Sequence, residues 1–347
     1  MIRLSLLQFR VQVITAVTAL AAFAVLLAAT GPHLARLYGA SGLTGCQPAS
    51  CGDLANQFFQ QLNAAGTYQV VYLLGIMLVA LAPAVIGLFW GAPLVARELE
   101  TGTSALAWSQ SVTRTRWLAV KLTVGGLAAM AVTEGLSLLQ AWWAAPISRA
   151  VGLGGSGTSL AMNQFSPLVF VTHGITPLGY AAFAFTLGVT AGALIQRTVP
   201  AMAVTLVLFA AVQIAMPLWI RPNLFPAEHT TVAIGRDITF SNNTQGNFTL
   251  ATGSLAGQPG AWILSSGAVD AAGHPVSTAP AACTQAVVSG TGPSGLACLA
   301  SHGIRIAVTY QPASRYWAFQ WTETGICLAA ALALAGYCFR RVSRRLS

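Results

Sequence analysis

Six stretches of the chain are rich in apolar residues, and each has the length of a membrane-crossing helix, about 17–25 residues. Polar stretches of varied length separate them. The pattern predicts an all-α polytopic membrane protein with six transmembrane helices. The predicted spans are residues 11–30, 70–95, 118–143, 168–195, 199–219 and 322–339.

Three of these stretches have informative ends. The fourth is longer than a straight span needs and contains Pro177, so it is expected to be kinked or to begin with a re-entrant turn. The first is too long for the apolar core of a cleaved signal peptide, about 7–15 residues, and is expected to remain as a span. An aromatic cluster typical of the membrane–water interface precedes the sixth: Tyr316, Trp317, Phe319 and Trp321.

The composition supports this class of protein. Hydrophobic residues make up 55% of the 347 residues and charged residues only 7%, and the mean hydropathy is +0.67. A soluble domain carries about 25% charged residues, so a soluble enzyme, a disordered tail and a nucleic-acid-binding domain are excluded. The net charge of +9 does not indicate nucleic acid, because the basic residues lie near the predicted membrane edges.

The distribution of Lys and Arg predicts the orientation, since cytoplasmic loops carry an excess of both. With both termini inside, 11 of the 17 basic residues fall in inner segments: Arg3, Arg10, Arg97, Arg114, Arg116, Lys121, Arg197, Arg340, Arg341, Arg344 and Arg345. The other six are spread over much longer outer segments. Arginine outnumbers lysine 16 to 1, which is typical of a GC-rich bacterial gene. The prediction is a multi-pass protein of the bacterial inner membrane with both termini cytoplasmic.

The segment 220–317, between the fifth and sixth stretches, is long enough for a small domain. Residues 304–310 alternate between apolar and polar side chains, the pattern of a half-buried strand, and residues 248–250 and 262–264 are weaker candidates. A small, β-rich extracellular domain is favoured, and a loosely ordered loop is the alternative. The chain accordingly divides into residues 1–219 with an inner loop at 96–117, the outer segment 220–317, and residues 318–347 with the sixth span and a basic tail.

Four of the six cysteines lie in the predicted outer segments: Cys46, Cys51, Cys283 and Cys298. Disulfides persist in oxidising compartments, and four cysteines allow three pairings. The pairs Cys46–Cys51 and Cys283–Cys298 are favoured because each closes a short loop within one segment, and four free thiols are the alternative. Cys327 and Cys338 lie inside the sixth stretch and are predicted to be buried free thiols.

The inner loop 96–117 carries two of the eight acidic residues of the chain, Glu98 and Glu100, directly after the second stretch. Thr101 or Thr103 is suited to cap a short helix, and carboxylates just ahead of it favour its positive end. An amphipathic helix along the inner membrane face is therefore predicted. On chemistry alone, an interfacial re-entry helix with solvated charges is the alternative.

This loop resembles the cytoplasmic loop between spans two and three of ABC exporter permeases of the second type, a family of drug, antibiotic and polysaccharide exporters. The resemblance rests on residues 97–103, 108–114 and Lys121 and on the six-span layout, and the segment 310–321 is similar to a subgroup from GC-rich bacteria. The outer segment is longer than the short re-entrant helices usual in the family. The resemblance implies that these loop residues couple the permease to an ATPase: Arg97, Glu98, Glu100, Gly102, Thr103, Trp108, Gln110, Arg114 and Arg116.

The same resemblance implies a function and partners. The chain is expected to be the membrane-spanning subunit of an ATP-driven exporter that moves a hydrophobic or amphiphilic, antibiotic-like small molecule out of the cell. Its expected partners are two copies of an ABC ATPase subunit, which hold ATP and Mg²⁺, and a second copy of the permease, with a homodimer favoured. The one lysine, Lys121, is followed by Leu122, so the chain has no phosphate loop of its own. No cofactor is expected in this chain, and no catalytic motif is recognised in it. No metal site is expected either, because its five histidines are scattered singly.

Glu134 lies near the middle of the third stretch, where an ionised group costs about 3 kcal/mol. One interpretation is structural, a protonated Glu134 bonded to a neighbouring helix; the other is a polar contact in the transport path or gate. Thr133, Ser137 and Gln140 extend a polar stripe beside it. Two rival functions stay open: a proton-coupled secondary transporter using Glu134, and a membrane-anchored sensor or assembly protein acting through its outer domain. No inverted internal repeat supports the former, and a sensor seldom needs six spans.

Overall fold

The computed structural model describes residues 10–46, 51–100, 114–155, 160–234, 238–242, 247–252, 255, 258, 260–289 and 292–345. Within this part of the chain, six helices are long and apolar enough to cross a membrane. We number them as spans 1 to 6 in chain order.

A long apolar helix is found in each of the six predicted stretches, although in the fourth it occupies only part of the stretch. Span 1 is Arg10–Ala40, span 3 is Arg114–Gly152, span 4 is Thr176–Ile195 and span 6 is Tyr316–Arg345. Span 2 joins the helices Thr67–Ile86 and Ala92–Glu100 through the π-helical segment Gly87–Gly91. Span 5 is Thr198–Ala215 with a π-helical end at Met216–Ile220. Spans 1, 3 and 6 extend several residues beyond their predicted ends.

The fourth predicted stretch forms two helices rather than one. The short helix Pro167–Thr172 ends at His173, and span 4 starts at Thr176 with Pro177 in its first turn. Proline suits this position because the first helical N–H groups have no partner within the helix. Gly174, between the two helices, has a φ of +70°, a conformation that glycine adopts without steric cost. The chain therefore breaks immediately before the proline that suggested a kink.

Span 4 is the central helix of the bundle. Of the residues in its apolar segment, 78% are buried, compared with 11% in span 1 and 22% in span 5. A Cβ atom on Gly192 would lie 2.5 Å from the carbonyl oxygen of Ala92, and one on Gly91 would lie 2.6 Å from that of Phe185. Spans 2 and 4 thus meet backbone to backbone, the close approach that small residues permit between membrane helices.

Between spans 5 and 6 the chain forms a β-rich unit, which we call the β domain (residues 224–312). An antiparallel sheet has the order β1 (Glu228–Ala233), β5 (Arg305–Gln311), β4 (Trp262–Val269). In its register Glu228 is opposite Tyr310 and Trp262 is opposite Gln311. A separate hairpin pairs β2 (Ile238–Asn242) with β3 (Phe248–Thr252). Two helices follow β4, Thr284–Ser289 and Gly292–Ser301.

The β domain has its own apolar core. Ile306 and Val308 are buried at alternate positions of β5, and Val287 and Leu299 of the two helices belong to the same cluster. The strand predicted at 304–310 is confirmed, and residues 248–250 and 262–264 lie in β3 and β4. A packed unit with a sheet, rather than a loosely ordered loop, therefore connects spans 5 and 6.

Both local disulfides are present, Cys46–Cys51 and Cys283–Cys298, so the predicted pairing is confirmed. The first bridge ends at the start of the helix Cys51–Ala65, which buries Phe58 and Phe59. The second joins Cys283, directly before the helix Thr284–Ser289, to Cys298 in the helix Gly292–Ser301, and its Cys283 is fully buried. Cys327 and Cys338 are buried free thiols, as predicted.

Replacing Cys283 by Ser should destabilise the β domain by about 3 kcal/mol, because a bridge that closes a 15-residue loop restricts the unfolded chain. The matched change Cys46→Ser opens a loop of 5 residues and should cost about 2 kcal/mol by the same relation. Chemical denaturation of the purified protein in detergent measures both values. Mass mapping of non-reduced peptides tests the pairing itself, and a Cys46–Cys283 link would contradict it.

Candidate functional site

The bundle has one end at the β domain and another at the loop 96–117, which we call the loop end. Four of the nine residues assigned to ATPase coupling lie outside the described residues: Gly102, Thr103, Trp108 and Gln110. Arg97 and Arg116 are exposed at the loop end, and Arg114 is the first residue of span 3. The described part of the coupling loop therefore consists of its two helical flanks.

Glu98 joins the end of span 2 to span 3. Its carboxylate accepts a hydrogen bond from Nζ of Lys121, and Nζ also lies 3.4 Å from the carbonyl oxygen of Leu94. The ammonium stacks over the ring of Trp117 at 4.4 Å from the ring centroid. Lys121 is only 2% exposed, and a buried ammonium needs such partners because it has lost its hydration. This pair anchors span 3 to the flank of the loop.

Glu100 joins the same flank to span 5. Its Oε2 atom accepts hydrogen bonds from the backbone N–H of Thr198 at 3.2 Å and from the Thr198 hydroxyl at 2.8 Å. Thr198 is the first residue of span 5, so the carboxylate caps a helix whose N-terminus carries a partial positive charge. These hydrogen bonds lower the pKa of Glu100. The two glutamates therefore bind two different neighbouring spans, and Glu100 does so from an exposed position.

A buried ion pair lies at the opposite end of the bundle. Nε and Nη2 of Arg221, just after span 5, lie 2.9 and 3.0 Å from the two carboxylate oxygens of Glu323 in span 6. Both side chains are fully buried. The hydroxyl of Tyr180 in span 4 donates to the same carboxylate at 2.7 Å, and the guanidinium lies 3.9 Å above the ring of Phe170. Spans 4, 5 and 6 thus meet at one carboxylate.

Gln320 satisfies the backbone at the break before span 4. Its Oε1 accepts from the N–H groups of Ile175 and Thr176 at 3.1 and 3.0 Å. Its Nε2 donates to the carbonyl oxygens of Phe170 and His173 at 3.2 and 3.1 Å. Helix ends leave such groups unpaired, so one amide from span 6 replaces the hydrogen bonds that the break removes.

The sequence analysis missed the Arg221–Glu323 pair. It placed Arg221 in an outer segment and did not single out Glu323, although both side chains are fully buried. A signal was available in the sequence. Arg221 follows the fifth apolar stretch and Glu323 begins the sixth, so both lie at the same side of the membrane and carry opposite charges.

Glu134 occupies the middle of span 3 and is half-buried, and its Oε2 atom is buried without a hydrogen-bond partner in the described part of the chain. The neighbouring polar residues face inward. Ser137 donates to the carbonyl oxygen of Thr172 at 2.9 Å, and Gln140 lies 3.4 Å from that of Tyr72. The predicted polar stripe is therefore present beside Glu134.

In the described residues, Cys283, Cys298 and His302 bring possible metal ligands close together. The two sulfur atoms form a disulfide, and a metal ligand must be a thiolate. This cluster is therefore no metal centre in the oxidised protein.

Breaking the buried ion pair should destabilise the protein by about 3–5 kcal/mol, because either single change leaves an unpaired buried charge. Glu323→Leu and Arg221→Met should each have this effect, whereas the double variant should recover most of the loss. Arg149→Met, at an exposed position in span 3, should change the free energy of unfolding by less than about 0.5 kcal/mol. Denaturation of the four variants in detergent gives the coupling energy, and simple additivity of the two single effects would show that the pair does not act as a unit.

Comparison with known proteins identifies a family. The family model described as "ABC-2 membrane transporter related" matches residues 17–221, which is more than half of the chain and runs from within span 1 to Arg221, just after span 5. Neither the curated proteins nor the solved structures gave a significant match. The chain is therefore a member of the ABC-2-related membrane transporter family, and its six apolar helices are those of a transmembrane permease.

Proposed function

We propose that this permease is the membrane subunit of an ATP-driven exporter whose ATP hydrolysis takes place in a separate ATPase subunit. The observation that carries the proposal is the attachment of the loop flank to two spans at once. Glu98 binds Lys121 of span 3 and Glu100 binds Thr198 of span 5. The family supports this function, since its members are membrane transporters. A partner that moves the loop would therefore move spans 2, 3 and 5 together.

The charges and the disulfides support an orientation with the loop end in the cytoplasm. Basic residues at the loop end include Arg97, Arg116, Lys121 and Arg197, and this excess is typical of cytoplasmic segments. Both disulfides lie toward the other end, where an oxidising compartment would preserve them. In this orientation the β domain is extracellular and both termini are cytoplasmic.

ATP binding would close the two ATPase subunits and displace the loop 96–117. Residues 101–113 would contact the ATPase, and the flanking glutamates would pass the movement to spans 3 and 5. Spans 2 and 4 touch through their backbones at Gly91 and Gly192. A displacement of span 2 would therefore act directly on span 4, because no flexible side chains lie between the two backbones at these glycines.

A second copy of the chain would complete the transport path. Spans 1 and 5 have the least buried apolar segments, 11% and 22%, so their faces are available to lipid or to another permease. Two copies and two ATPase subunits form the assembly that we propose, with a hydrophobic or amphiphilic small molecule as the exported compound. ATP and Mg²⁺ would bind to the ATPase subunits and not to this chain.

The direct test is purification of the tagged permease in mild detergent. We expect an ATPase subunit that contains a phosphate loop to co-purify in a 2:2 complex, and the permease to stimulate its ATP hydrolysis in lipid vesicles. Monomeric permease without an ATPase partner, combined with transport driven by a proton gradient, would favour the secondary-transporter alternative.

Glu98→Gln combined with Glu100→Gln should leave the permease folded and membrane-inserted but should strongly reduce ATP-driven transport. The reason is that both substitutions weaken the charge-assisted bonds to spans 3 and 5. The matched control is Asp53→Asn, which makes the same type of change in the helix Cys51–Ala65 at the other end of the bundle. ATP hydrolysis and transport are measured together in reconstituted vesicles. Unchanged transport by the double variant would contradict a coupling role for these glutamates.

Glu134→Gln should retain most transport, because it keeps the shape and hydrogen-bonding capacity of the side chain and removes only its titration. Glu134→Leu should impair either assembly or export, since it removes the polar group from the polar stripe. Yield of folded protein and export rate in vesicles separate the two effects. If Gln abolished transport while ATP hydrolysis remained coupled to permease binding, proton coupling through Glu134 would replace this interpretation.

A further inference from the structure

A cavity of about 230 Å³ lies where spans 2, 3 and 6 meet the segment before span 4 and the β domain. Five of its lining residues are polar and uncharged: Tyr72, Ser148, Gln164, His173 and Tyr316. Apolar side chains such as Ile147, Val151 and Val169 supply most of the remaining wall, and no lining residue is Asp, Glu, Lys or Arg.

His173 has one engaged ring nitrogen and one without a partner. Its Nδ1 lies 3.0 Å from the carbonyl oxygen of Val169, and because a carbonyl only accepts, Nδ1 carries the proton. Nε2 is then the acceptor of the neutral ring. It is buried and has no hydrogen-bond partner within the described ranges. A buried acceptor left unpaired is unfavourable, so a ligand that brings a donor to Nε2 would gain affinity.

The volume and the lining define the chemistry of an occupant. A cavity of about 150 Å³ accommodates benzene, whereas drug-sized ligands need about 300 Å³ or more. A volume of about 230 Å³ therefore suits a compound of one or two rings. Without charged side chains in the wall, nothing would offset the lost hydration of an ion, so the occupant is uncharged.

We propose that this cavity binds an uncharged, largely apolar compound of one or two rings whose hydroxyl group donates to Nε2 of His173. Its role as a substrate site rests on the proposed exporter function and places the compound inside one subunit. The cavity is linked by hydrogen bonds to spans 4 and 6. Tyr316 accepts a hydrogen bond from Gln320 at 3.0 Å, and Gln320 also holds the first residues of span 4. An occupant thus touches the network that joins spans 4 and 6.

The test is equilibrium binding of 2-naphthol to the full-length permease in lipid nanodiscs, with naphthalene as the matched ligand that lacks the hydroxyl. We expect saturable 1:1 binding of 2-naphthol, about tenfold tighter than that of naphthalene, as one buried hydrogen bond provides. His173→Leu should weaken 2-naphthol binding about tenfold and leave naphthalene binding unchanged, so that the two ligands bind equally. Persistence of the tenfold preference in His173→Leu would overturn the proposed contact.

Val151→Phe places bulk in the cavity and should abolish saturable binding of both ligands. The matched control is Val25→Phe, the same substitution at a position in span 1 that is 69% exposed, and it should bind both ligands like the native chain. Binding that survives Val151→Phe, or binding that never saturates, would overturn the site. The binding measurement uses the permease without ATPase or ATP. Absence of binding would therefore not contradict ATPase co-purification, and failed co-purification would not contradict the binding site.

Discussion

The close packing of span 4 against its neighbours is the constraint on which the rest of the structure depends. On the side of span 2, glycines bring the two backbones into contact, and a single methyl group at Gly192 or Gly91 would force them apart. On the side of span 6, the contact is polar, through Gln320 and Glu323. In lipid the hydrophobic effect does not draw helices together, so close backbone approach and hydrogen bonds must hold them. Span 4 is held by backbone contact on the side of span 2 and by hydrogen bonds on the side of span 6.

Charged side chains are stabilised by different contacts at the two ends of the bundle. At the loop end, Glu98 binds the buried ammonium of Lys121, whereas the exposed Glu100 binds the N-terminus of span 5. At the β-domain end, Arg221 and Glu323 are fully buried and are joined by two hydrogen bonds. An exposed charged contact contributes little and separates readily, whereas a buried pair is costly to break. Of these contacts, the one between Glu100 and Thr198 is therefore the easiest to separate.

Much of this fold could be predicted from the sequence, because the strongest patterns have physical causes that act locally. Bilayer thickness dictates the length of apolar stretches, pleating dictates the alternation in β5, and loop length favours the Cys283–Cys298 bridge. Contacts between distant residues were harder to predict. The sequence shows that Lys121 and Glu98 are charged, but not that their helices present them to each other. The π-helical segment Gly87–Gly91 and the capping role of Glu100 depend on packing against spans 4 and 5, which no local pattern encodes.

The Arg221–Glu323 ion pair lies at the base of the β domain and would allow that domain to vary independently of the membrane bundle. Arg221 and Glu323 join the segment that enters the β domain to the segment that leaves it. Arg315 adds a second link, because its Nη2 atom lies 2.9 Å from Glu228. The chain ends that carry the domain are therefore fixed side by side whatever lies between them. Insertion, shortening or exchange of sequence above such a paired stem need not disturb the helices below. The family match, which ends at Arg221, stops at this boundary.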